Sequence, residues 1–342
     1  MTQILITGGA GYLGSMLYLK LKELGYNPVI YDSLMYNQKS LERINLILRE
    51  KINVAESLAA DTRKTSKIDY INGDIRDKER LSKLFRKHNF DFVFHFADIV
   101  GYFPCEENKE ESHEISTEGT RIIAELCREY NSKLIYNSSS SIYGLSKSEN
   151  LIDEGYEIRE IKDQYSKNKL ECEKIIKEID PEYVILRPAT IGGLSPRARP
   201  DLLPNHFSYM VWLKRNISVS NPNHYRALID IRDMMDAYIN IINNFKKGTY
   251  NLGSLNLTKI EIINKIKELV EETNIKVVDD LGDVRNLKIN SAKFEKTFGF
   301  KPKYEAEEML LPVIDLLESK GDIITKQEFL NITREQWEKL LE

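Results

Sequence analysis

The chain is poor in cysteine: Cys105, Cys127 and Cys172 are its three thiols among 342 residues, and no C-x-x-C pair occurs. Widely spaced single cysteines argue against a disulfide framework and against a zinc site. A free cysteine usually behaves as a small buried hydrophobe. We therefore expect structural thiols and no metal centre.

The sequence also lacks a long apolar run and an excess of either charge. No stretch approaches the roughly 18 apolar residues that a membrane helix needs. The opening residues, MTQILITGG, have neither the basic region nor the cleavage site of a signal peptide. The net charge is −4 with both signs intermixed, so no basic stripe offers itself to nucleic acid. We expect a cytoplasmic protein with a small-molecule ligand, and neither a membrane nor a nucleic acid as a partner.

Short runs rich in Val, Ile, Phe and Tyr alternate with amphipathic segments over the first 190 residues. The runs are QILIT, NPVIYD, IDYINGD, DFVFHFA, KLIYNSS and YVILRPA. This alternation predicts an α/β fold with a doubly wound parallel sheet of Rossmann type. After about residue 190 the rhythm changes and prolines become frequent. We expect residues 1–190 plus about 226–253 to form this domain, and about 191–225 plus 254–342 to form a smaller, mostly helical C-terminal lobe that binds the substrate.

A glycine cluster, TGGAGYLGS, lies directly after the first apolar run. Gly9, Gly11 and Gly14 fit G-x-G-x-x-G, and Gly8, Gly11 and Gly14 fit the wider G-x-x-G-x-x-G. Glycines at these spacings let a strand turn into a helix while the backbone approaches a pyrophosphate. Taken alone, the pattern is equally compatible with a tight turn.

Acidic residues at the next two strand ends favour the nucleotide interpretation. Asp32 follows Gly14 by 18 residues and ends NPVIYD. A carboxylate at this position accepts hydrogen bonds from the adenosine ribose and repels a 2′-phosphate, which favours NAD over NADP. Asp74, in NGDIRD, is placed to contact the adenine amino group or to serve as an ordinary turn acid.

A second set of polar residues has the spacing of a proton-transfer site. Ser139, in the run NSSSSIYG, precedes Tyr165 by 26 residues, and Tyr165 and Lys169 are spaced i, i+4. On a helix this spacing puts both side chains on one face. A lysine ammonium beside a phenol favours the phenolate, so we expect a lowered tyrosine pKa and a general base.

Taken together, these motifs resemble the extended short-chain dehydrogenase/reductase family, in particular its nucleotide-sugar epimerases and dehydratases. The matching segments, in the family's order, are TGGAGYLGS, YDSLMYN, GDIRD, HFADIVG, SSSSIYG, YSKNK, LRPATIGG and FGFKPKY. The resemblance implies that Tyr165 is the catalytic base, that Lys169 holds the nicotinamide ribose, and that Ser139 binds the reacting hydroxyl, with Ser138 or Ser140 as alternatives. It implies an NAD site formed by Gly8, Gly11, Tyr12, Leu13, Gly14, Asp32, Asp74, Ile75, Tyr165 and Lys169. It also implies a homodimer formed through a helix bundle.

The branch within the family depends on the residues beside Ser139. Sugar dehydratases carry an acidic pair where this chain has Ser140 and Ser141, decarboxylases a glutamate at Ser141, and epimerase-reductases a cysteine there. Without such a group, elimination and decarboxylation lose a proton-transfer residue. We therefore expect hydride transfer at the sugar 4-hydroxyl of a nucleotide-diphosphate sugar, by epimerisation. A net 4-dehydrogenase or reductase and a non-catalytic NAD-binding module remain as alternatives.

Resemblance also suggests the substrate end of the site. The residues expected to bind substrate are Ser139, Ser140, Ser141, Thr190, Asn205, Arg199, Arg226 and Arg285. Arginine suits a pyrophosphate because its guanidinium is a forked cationic donor, and Arg187 and Arg197 are further arginines of this half.

Three positions depart from the family pattern. Asp98 stands where a small residue is usual, Ser116 where Asn is usual, and Thr190 where UDP-galactose 4-epimerases carry Asn. We therefore expect a substrate other than UDP-galactose. His95 is expected to be a structural residue at a strand end.

Overall fold

The computed structural model describes residues 2–36, 39–60, 62, 68–144, 150–158, 160–213, 217–270, 275–277, 286–323 and 333–341. The helices are α1 (Tyr12–Glu23), α2 (Lys39–Glu50), α3 (Val54–Ala59), α4 (Lys78–His88), α5 (Tyr102–Glu107), α6 (Lys109–Glu129), α7 (Gln164–Ile179), α8 (Leu203–Trp212), α9 (Ile231–Asn243), α10 (Lys259–Leu269), α11 (Ala292–Phe298), α12 (Ala306–Lys320) and α13 (Arg334–Leu341). The strands are β1 (Ile4–Thr7), β2 (Val29–Asp32), β3 (Ile71–Asn72), β4 (Phe92–His95), β5 (Lys133–Asn137), β6 (Tyr183–Pro188), β7 (Thr190–Gly192), β8 (Ile217–Val219), β9 (Tyr225–Asp230), β10 (Gly248–Leu252), β11 (Leu255–Thr258) and β12 (Ile275–Val277).

Seven parallel strands form the central sheet in the order β10-β6-β5-β4-β1-β2-β3. The sequence order reverses between β1 and β4, which is the switch point of a doubly wound sheet. Ligands of such folds bind beyond the carboxyl ends of the strands at this point. The predicted fold class is therefore confirmed.

Both faces of the sheet are covered by helices, as the uninterrupted apolar runs require. Ile4 and Ile6 of β1 face the core layer that includes α1 and α9, whereas Leu5 faces the layer that includes α4, α6 and α7. Successive residues of a strand point to opposite faces, so β1 contributes to both layers.

Apart from α9, β10 and α11, which pack in the layer of the central sheet, the described residues after β6 form a smaller part of the fold in which helices and two small sheets share a core. β9 lies between β7 and β11 in a three-stranded sheet, and β8 pairs with β12. The apolar faces of α8, α10 and α12 close this core. β10, by contrast, completes the seven-stranded sheet beside β6. The domain boundaries proposed from the sequence stay a prediction.

All three cysteines are free thiols buried in the protein. Within the part of the chain that the structure describes, no helix combines the length and hydrophobicity needed to cross a membrane.

Candidate active site

A cavity of about 930 Å³ lies along the carboxyl ends of the central strands and continues to Arg226 on β9. The residues that follow β1, β2, β3, β4 and β5 all contribute to its wall. All ten residues expected at the cofactor line this cavity. Of those expected at the substrate, Ser139, Ser140, Ser141, Thr190, Arg199 and Arg226 line it as well.

The glycine loop joins β1 to α1 through a turn that other residues cannot make. Gly8 has φ of +68°, and a Cβ atom there would lie 2.7 Å from the Ala97 backbone nitrogen. A Cβ atom on Gly14 would collide with the Gly8 carbonyl oxygen. The amide of Gly11 donates to that same oxygen at 3.0 Å, so the loop folds tightly onto the start of α1. Free amides at a helix N-terminus next to a cavity suit a pyrophosphate.

Asp32 is oriented by the backbone at the end of β2. Its carboxylate accepts from the Ala10 amide at 2.9 Å and from the Leu34 amide at 2.7 Å. Burial raises the pKa of Asp32, and these two hydrogen bonds oppose that effect. A fixed carboxylate beside the glycine loop fits the ribose hydroxyls of NAD. The side chains of this end of the cavity therefore fit the cofactor.

Asp74 is engaged by its own neighbour. Arg76 donates to its carboxylate through Nε at 3.0 Å and Nη2 at 2.6 Å. Hydrogen bonding from Arg76 is the main reason why the pKa of Asp74 lies below its ordinary value. Asp74 lines the cavity, and its contact with adenine stays a prediction.

The four consecutive serines differ in their partners. Ser138 donates to Glu173 Oε1 at 2.7 Å, on the buried side of the strand end. Ser141 accepts from the Ser166 hydroxyl at 2.9 Å. Ser139, at the start of a short 3-10 turn, accepts from the Ser141 amide at 3.1 Å, and its hydroxyl lowers the pKa of Tyr165. The choice of Ser139 over Ser138 and Ser140 as the catalytic serine stays a prediction.

Tyr165 and Lys169 lie on the first turns of α7. The helix begins at Gln164, where Asp163 caps it by accepting from the Ser166 amide at 2.8 Å. Lys169 Nζ donates to the Asn137 carbonyl at 2.9 Å and lies 5.8 Å from the centre of the Tyr165 ring. Lys169 therefore contacts the end of β5. Tyr165 and Lys169 lie on one face of α7, as their i, i+4 spacing predicts.

The prediction of a lowered Tyr165 pKa is wrong: in the structure, the combined effects raise it. Burial is the largest effect and raises the pKa, and Asp98 raises it further. Lys169 and the Ser139 hydrogen bond lower it, but the pKa still lies above its ordinary value. A buried phenol loses the hydration that stabilises its phenolate, which raises its pKa. The degree of burial cannot be read from the sequence.

The sequence shows that Asp98 is an unusual residue at its position but does not reveal its ion-pair partner, Lys169. Asp98 Oδ2 lies 2.8 Å from Lys169 Nζ, and both side chains are only 5% exposed. The Ser116 hydroxyl donates to the other carboxylate oxygen. Two of the three departures from the family pattern, Asp98 and Ser116, are therefore in contact with each other, and Asp98 also contacts Lys169.

The arginines of the second half take different positions. Arg197, Arg199 and Arg226 line the cavity. The Arg199 guanidinium donates to the Asp201 carboxylate through Nε at 2.7 Å and Nη2 at 2.6 Å. Arg187 instead pairs with Glu173 beneath the strand end, outside the cavity lining. Arg285 lies outside the described residues.

Asn205 is placed behind the cavity rather than in its wall. Its Oδ1 accepts from the Gly193 amide at 2.9 Å, and its Nδ2 donates to the carbonyls of Gly193 and Arg199. The side chain thereby fixes the segment that carries Arg199. It is not among the residues that line the cavity, and a contact with substrate stays a prediction.

His95 ends β4 beneath the site. Its Nδ1 shares a hydrogen bond of 2.8 Å with the Thr7 hydroxyl, and its Nε2 one of 3.2 Å with the Thr120 hydroxyl. Burial, reinforced by the Lys169 charge, lowers the pKa of His95 to about 3. A neutral imidazole between two threonines agrees with a structural role.

A switch-point cavity that joins a glycine loop and an acidic strand end to a Ser-Tyr-Lys set defines an enzyme of the dinucleotide-dependent short-chain dehydrogenase class. Residues 4–253 match the NAD dependent epimerase/dehydratase family. The chain belongs to this family, which confirms the predictions of an NAD-dependent enzyme of epimerase type.

Curated relatives of the chain are nucleotide-sugar epimerases, and a solved structure shares its fold. The chain is 30% identical to the UDP-glucose 4-epimerase of Mus musculus over 281 residues, which cover 74% of this chain and 78% of the relative. It is 26% identical to the bifunctional UDP-glucose 4-epimerase and UDP-xylose 4-epimerase 1 of Pisum sativum, covering 90% and 93%. The UDP-glucose 4-epimerase of Bifidobacterium longum, solved with NAD⁺ and UDP, has the same fold, with a TM-score of 0.76, 22% identity and coverage of 94% and 100%.

Proposed function

We propose that the protein interconverts two UDP-sugars that differ in configuration at C4, with NAD as its cofactor. The observation that carries the proposal is the convergence of Ser139, Tyr165 and Lys169 in the cavity that also contains the glycine loop. Neutral side chains at Ser140 and Ser141 favour epimerisation over water elimination, because elimination needs an additional acid and base.

Ser139, Tyr165 and Lys169 carry out the proton-transfer part of this reaction. Tyr165, as phenolate, accepts the proton of the sugar 4-hydroxyl, while the Ser139 hydroxyl hydrogen-bonds the same oxygen. Lys169 stabilises the phenolate by its charge. NAD, when bound, would supply the acceptor for the C4 hydride and the donor that gives it back to the opposite face of the 4-keto sugar. Tyr165 returns its proton to the C4 oxygen as the opposite configuration forms, so the residues end as they began.

Two arginines of the cavity suit a nucleotide diphosphate. Arg226, at the start of β9, and Arg199 both line its wall. The curated relatives act on UDP-glucose, and one also on UDP-xylose, which supports uridine as the base. Thr190 in the wall offers a hydroxyl and a methyl group where an amide is usual in the UDP-galactose enzymes. We expect a preferred substrate pair other than UDP-glucose and UDP-galactose, which are C4 epimers of each other.

A panel assay tests this function. Purified protein is incubated with UDP-glucose, UDP-galactose, UDP-xylose, UDP-N-acetylglucosamine and UDP-glucuronate, and the products are analysed by proton NMR. UDP-glucose and UDP-galactose are C4 epimers of each other and form one substrate pair, which we expect to react more slowly than one of the other UDP-sugars. That preferred sugar should give a mixture of its two C4 epimers. The variant Tyr165→Phe should bind NAD and give no epimer. Stoichiometric NADH with a keto-sugar product would instead indicate a net 4-dehydrogenase, and inactivity on every sugar with NAD still bound would indicate a binding module.

We also propose that the protein is a homodimer joined by α6 and α7. These helices pack side by side on one face of the sheet. Acidic residues predominate among the exposed residues of α6, which are Lys109, Glu110, Glu111, His113, Glu114, Glu118, Arg128 and Glu129. Basic residues predominate among those of α7, which are Lys167, Lys174, Lys177 and Glu178. An antiparallel arrangement of two copies would bring opposite charges together. A cytoplasmic location stays a prediction from the sequence, and cell fractionation tests it.

A further inference from the structure

Lys169 is held by two oxygens from different elements. Its Nζ donates to the Asn137 carbonyl at the end of β5 and pairs with Asp98, which follows β4. Asp98 is fixed in turn by the hydroxyl of Ser116 on α6. Three elements of the sheet and its helix layer therefore determine where the ammonium lies. Asp98 also lines the cavity beside Tyr165.

The other titratable groups around Lys169 and Tyr165 include Tyr136 on β5, His95 on β4, Cys172 on α7, Cys105 on α5, and the Arg199–Asp201 pair from the segment after β7. Asp163, which caps α7, lines the same cavity, as do Lys162 and Tyr36. Burial raises the pKa of Cys172 to about 11 and of Cys105 to about 12, so both stay thiols. The charge that Tyr165 meets at close range is thus set chiefly by Lys169 and Asp98.

We propose that Asp98 is a positioning residue of the active site: it holds Lys169 against the Asn137 carbonyl and offsets the lysine charge felt by the Tyr165 phenol. The inference rests on the proposed function, in which Tyr165 exchanges a proton with the sugar. A single positive charge near a phenol favours the phenolate, whereas a neutral ion pair has a much weaker effect. In this chain, Tyr165 therefore keeps its proton to a higher pH than a Tyr-Lys pair without a carboxylate would allow.

The directions of the pKa shifts agree with this arrangement. Burial alone lowers the pKa of Lys169, but the charges of Asp98 and Tyr165 reverse this and raise it above its ordinary value. At Tyr165, Lys169 lowers the pKa and Asp98 raises it. Asp98 therefore secures the charge of the lysine while reducing the effect of that charge on its neighbour.

The direct test is a titration of Tyr165 by carbon-13 NMR of protein labelled at the tyrosine Cζ atoms, with Tyr165→Phe used to assign the signal. Asp98→Asn keeps the size of the side chain and its acceptor oxygen for Ser116 but removes the charge. We expect it to lower the Tyr165 pKa by about one pH unit. Asp98→Glu, which restores the charge, should return the pKa toward the wild-type value.

Two controls separate the charge of Asp98 from a structural effect. Ser116→Ala removes the hydrogen bond to Asp98 without altering charge, and Asp74→Asn removes a carboxylate from the opposite end of the cavity. Neither should move the Tyr165 pKa appreciably. An unchanged or higher pKa in Asp98→Asn would overturn the proposal, and so would an equal shift in Ser116→Ala.

The pH dependence of turnover gives a second readout. The acid limb of the kcat profile should move to lower pH in Asp98→Asn, in step with the titration of Tyr165. If the wild-type protein epimerises no sugar, the proposed function fails, while the NMR titration still decides the role of Asp98.

Discussion

Arg187 and Glu173 form a buried, two-pronged ion pair beneath the strand end that carries Ser139. Arg187 donates through Nε at 2.9 Å and through Nη2 at 2.7 Å, and the side chains are 5% and 0% exposed. Glu173 also accepts from Ser138, and Arg187 also donates to the Tyr143 hydroxyl at 3.0 Å. The pair thus fixes the chain on both sides of Ser139.

Breaking this pair should destabilise the protein strongly. Arg187→Met leaves the Glu173 carboxylate buried without its main partner, and we expect the free energy of unfolding to fall by about 3–5 kcal/mol. The double variant Arg187→Met/Glu173→Leu should recover part of the loss, because no charge is then left unpaired. Chemical denaturation measures both.

The surface pair of Lys83 with Glu79 on α4, 2.5 Å apart, provides the matched control. Lys83→Met should cost less than about 1 kcal/mol, since exposed ion pairs contribute little. If Arg187→Met were as mild as Lys83→Met, the buried pair would not have the role assigned to it.

His95 should make the protein less stable in mild acid. Its pKa is about 3 in the folded state and roughly 6.5 in an unfolded chain. Between these values the unfolded state binds a proton that the folded state does not, so stability falls as the pH drops through this range. His95→Gln should reduce the pH dependence of the unfolding free energy there by up to about 1.4 kcal/mol per pH unit.

Thr120→Val separates the titration of His95 from its packing. It removes one hydrogen-bond partner but leaves the imidazole buried. We expect a lower overall stability with the same pH dependence as the wild type. An equal pH dependence in His95→Gln and wild type would show that another group is responsible.

Asp32 should determine the choice between NAD and NADP. Asp32→Asn keeps an acceptor oxygen but removes the charge that repels a 2′-phosphate. Calorimetric titration should show NAD affinity reduced about fivefold to tenfold, as expected for a lost charged hydrogen bond, and NADP affinity increased. Asp77→Asn is the control, because Asp77 caps α4 away from the cavity and should leave both affinities unchanged.

The dimer proposal predicts a dependence on salt. If the acidic face of α6 meets the basic face of α7 of a second copy, high ionic strength should weaken the association. Light scattering coupled to size exclusion should show a dimer at low salt and more monomer at high salt. Lys174→Glu should mimic the effect of salt, whereas Lys83→Glu on α4, outside these helices, should not. A monomer at every salt concentration would contradict the proposal.

The parts of the site that the sequence predicts are local in the chain. The strand, glycine loop and helix of residues 4–23 lie within 20 residues, and Tyr165 and Lys169 share one face of one helix. Their geometry follows from short-range rules for turns and helical spacing. For this reason the cofactor loop and the Tyr-Lys pair could be located without a structure.

What the sequence could not predict depends on contacts between distant segments. Asp98 and Lys169 are brought together by the neighbouring positions of β4 and β5 in the sheet. The same holds for Arg187, whose role as a partner of Glu173 depends on α7 packing over β6. The raised pKa of Tyr165 follows from burial, which no local pattern reveals. In the small sheets, the segment RALIDI, which covers most of β9, has a strand-like pattern, whereas β7 and β8 are hard to predict because they have only three residues each.

In the proposed reaction one site removes the hydrogen from the sugar C4 and returns it to the opposite face. A UDP-sugar that carries deuterium at C4, chosen from the panel assay, tests this reaction. We expect both C4 epimers to form and the epimeric product to keep the deuterium at C4. A product that has lost the label to free cofactor or solvent, or NADH released without any epimer, would contradict it.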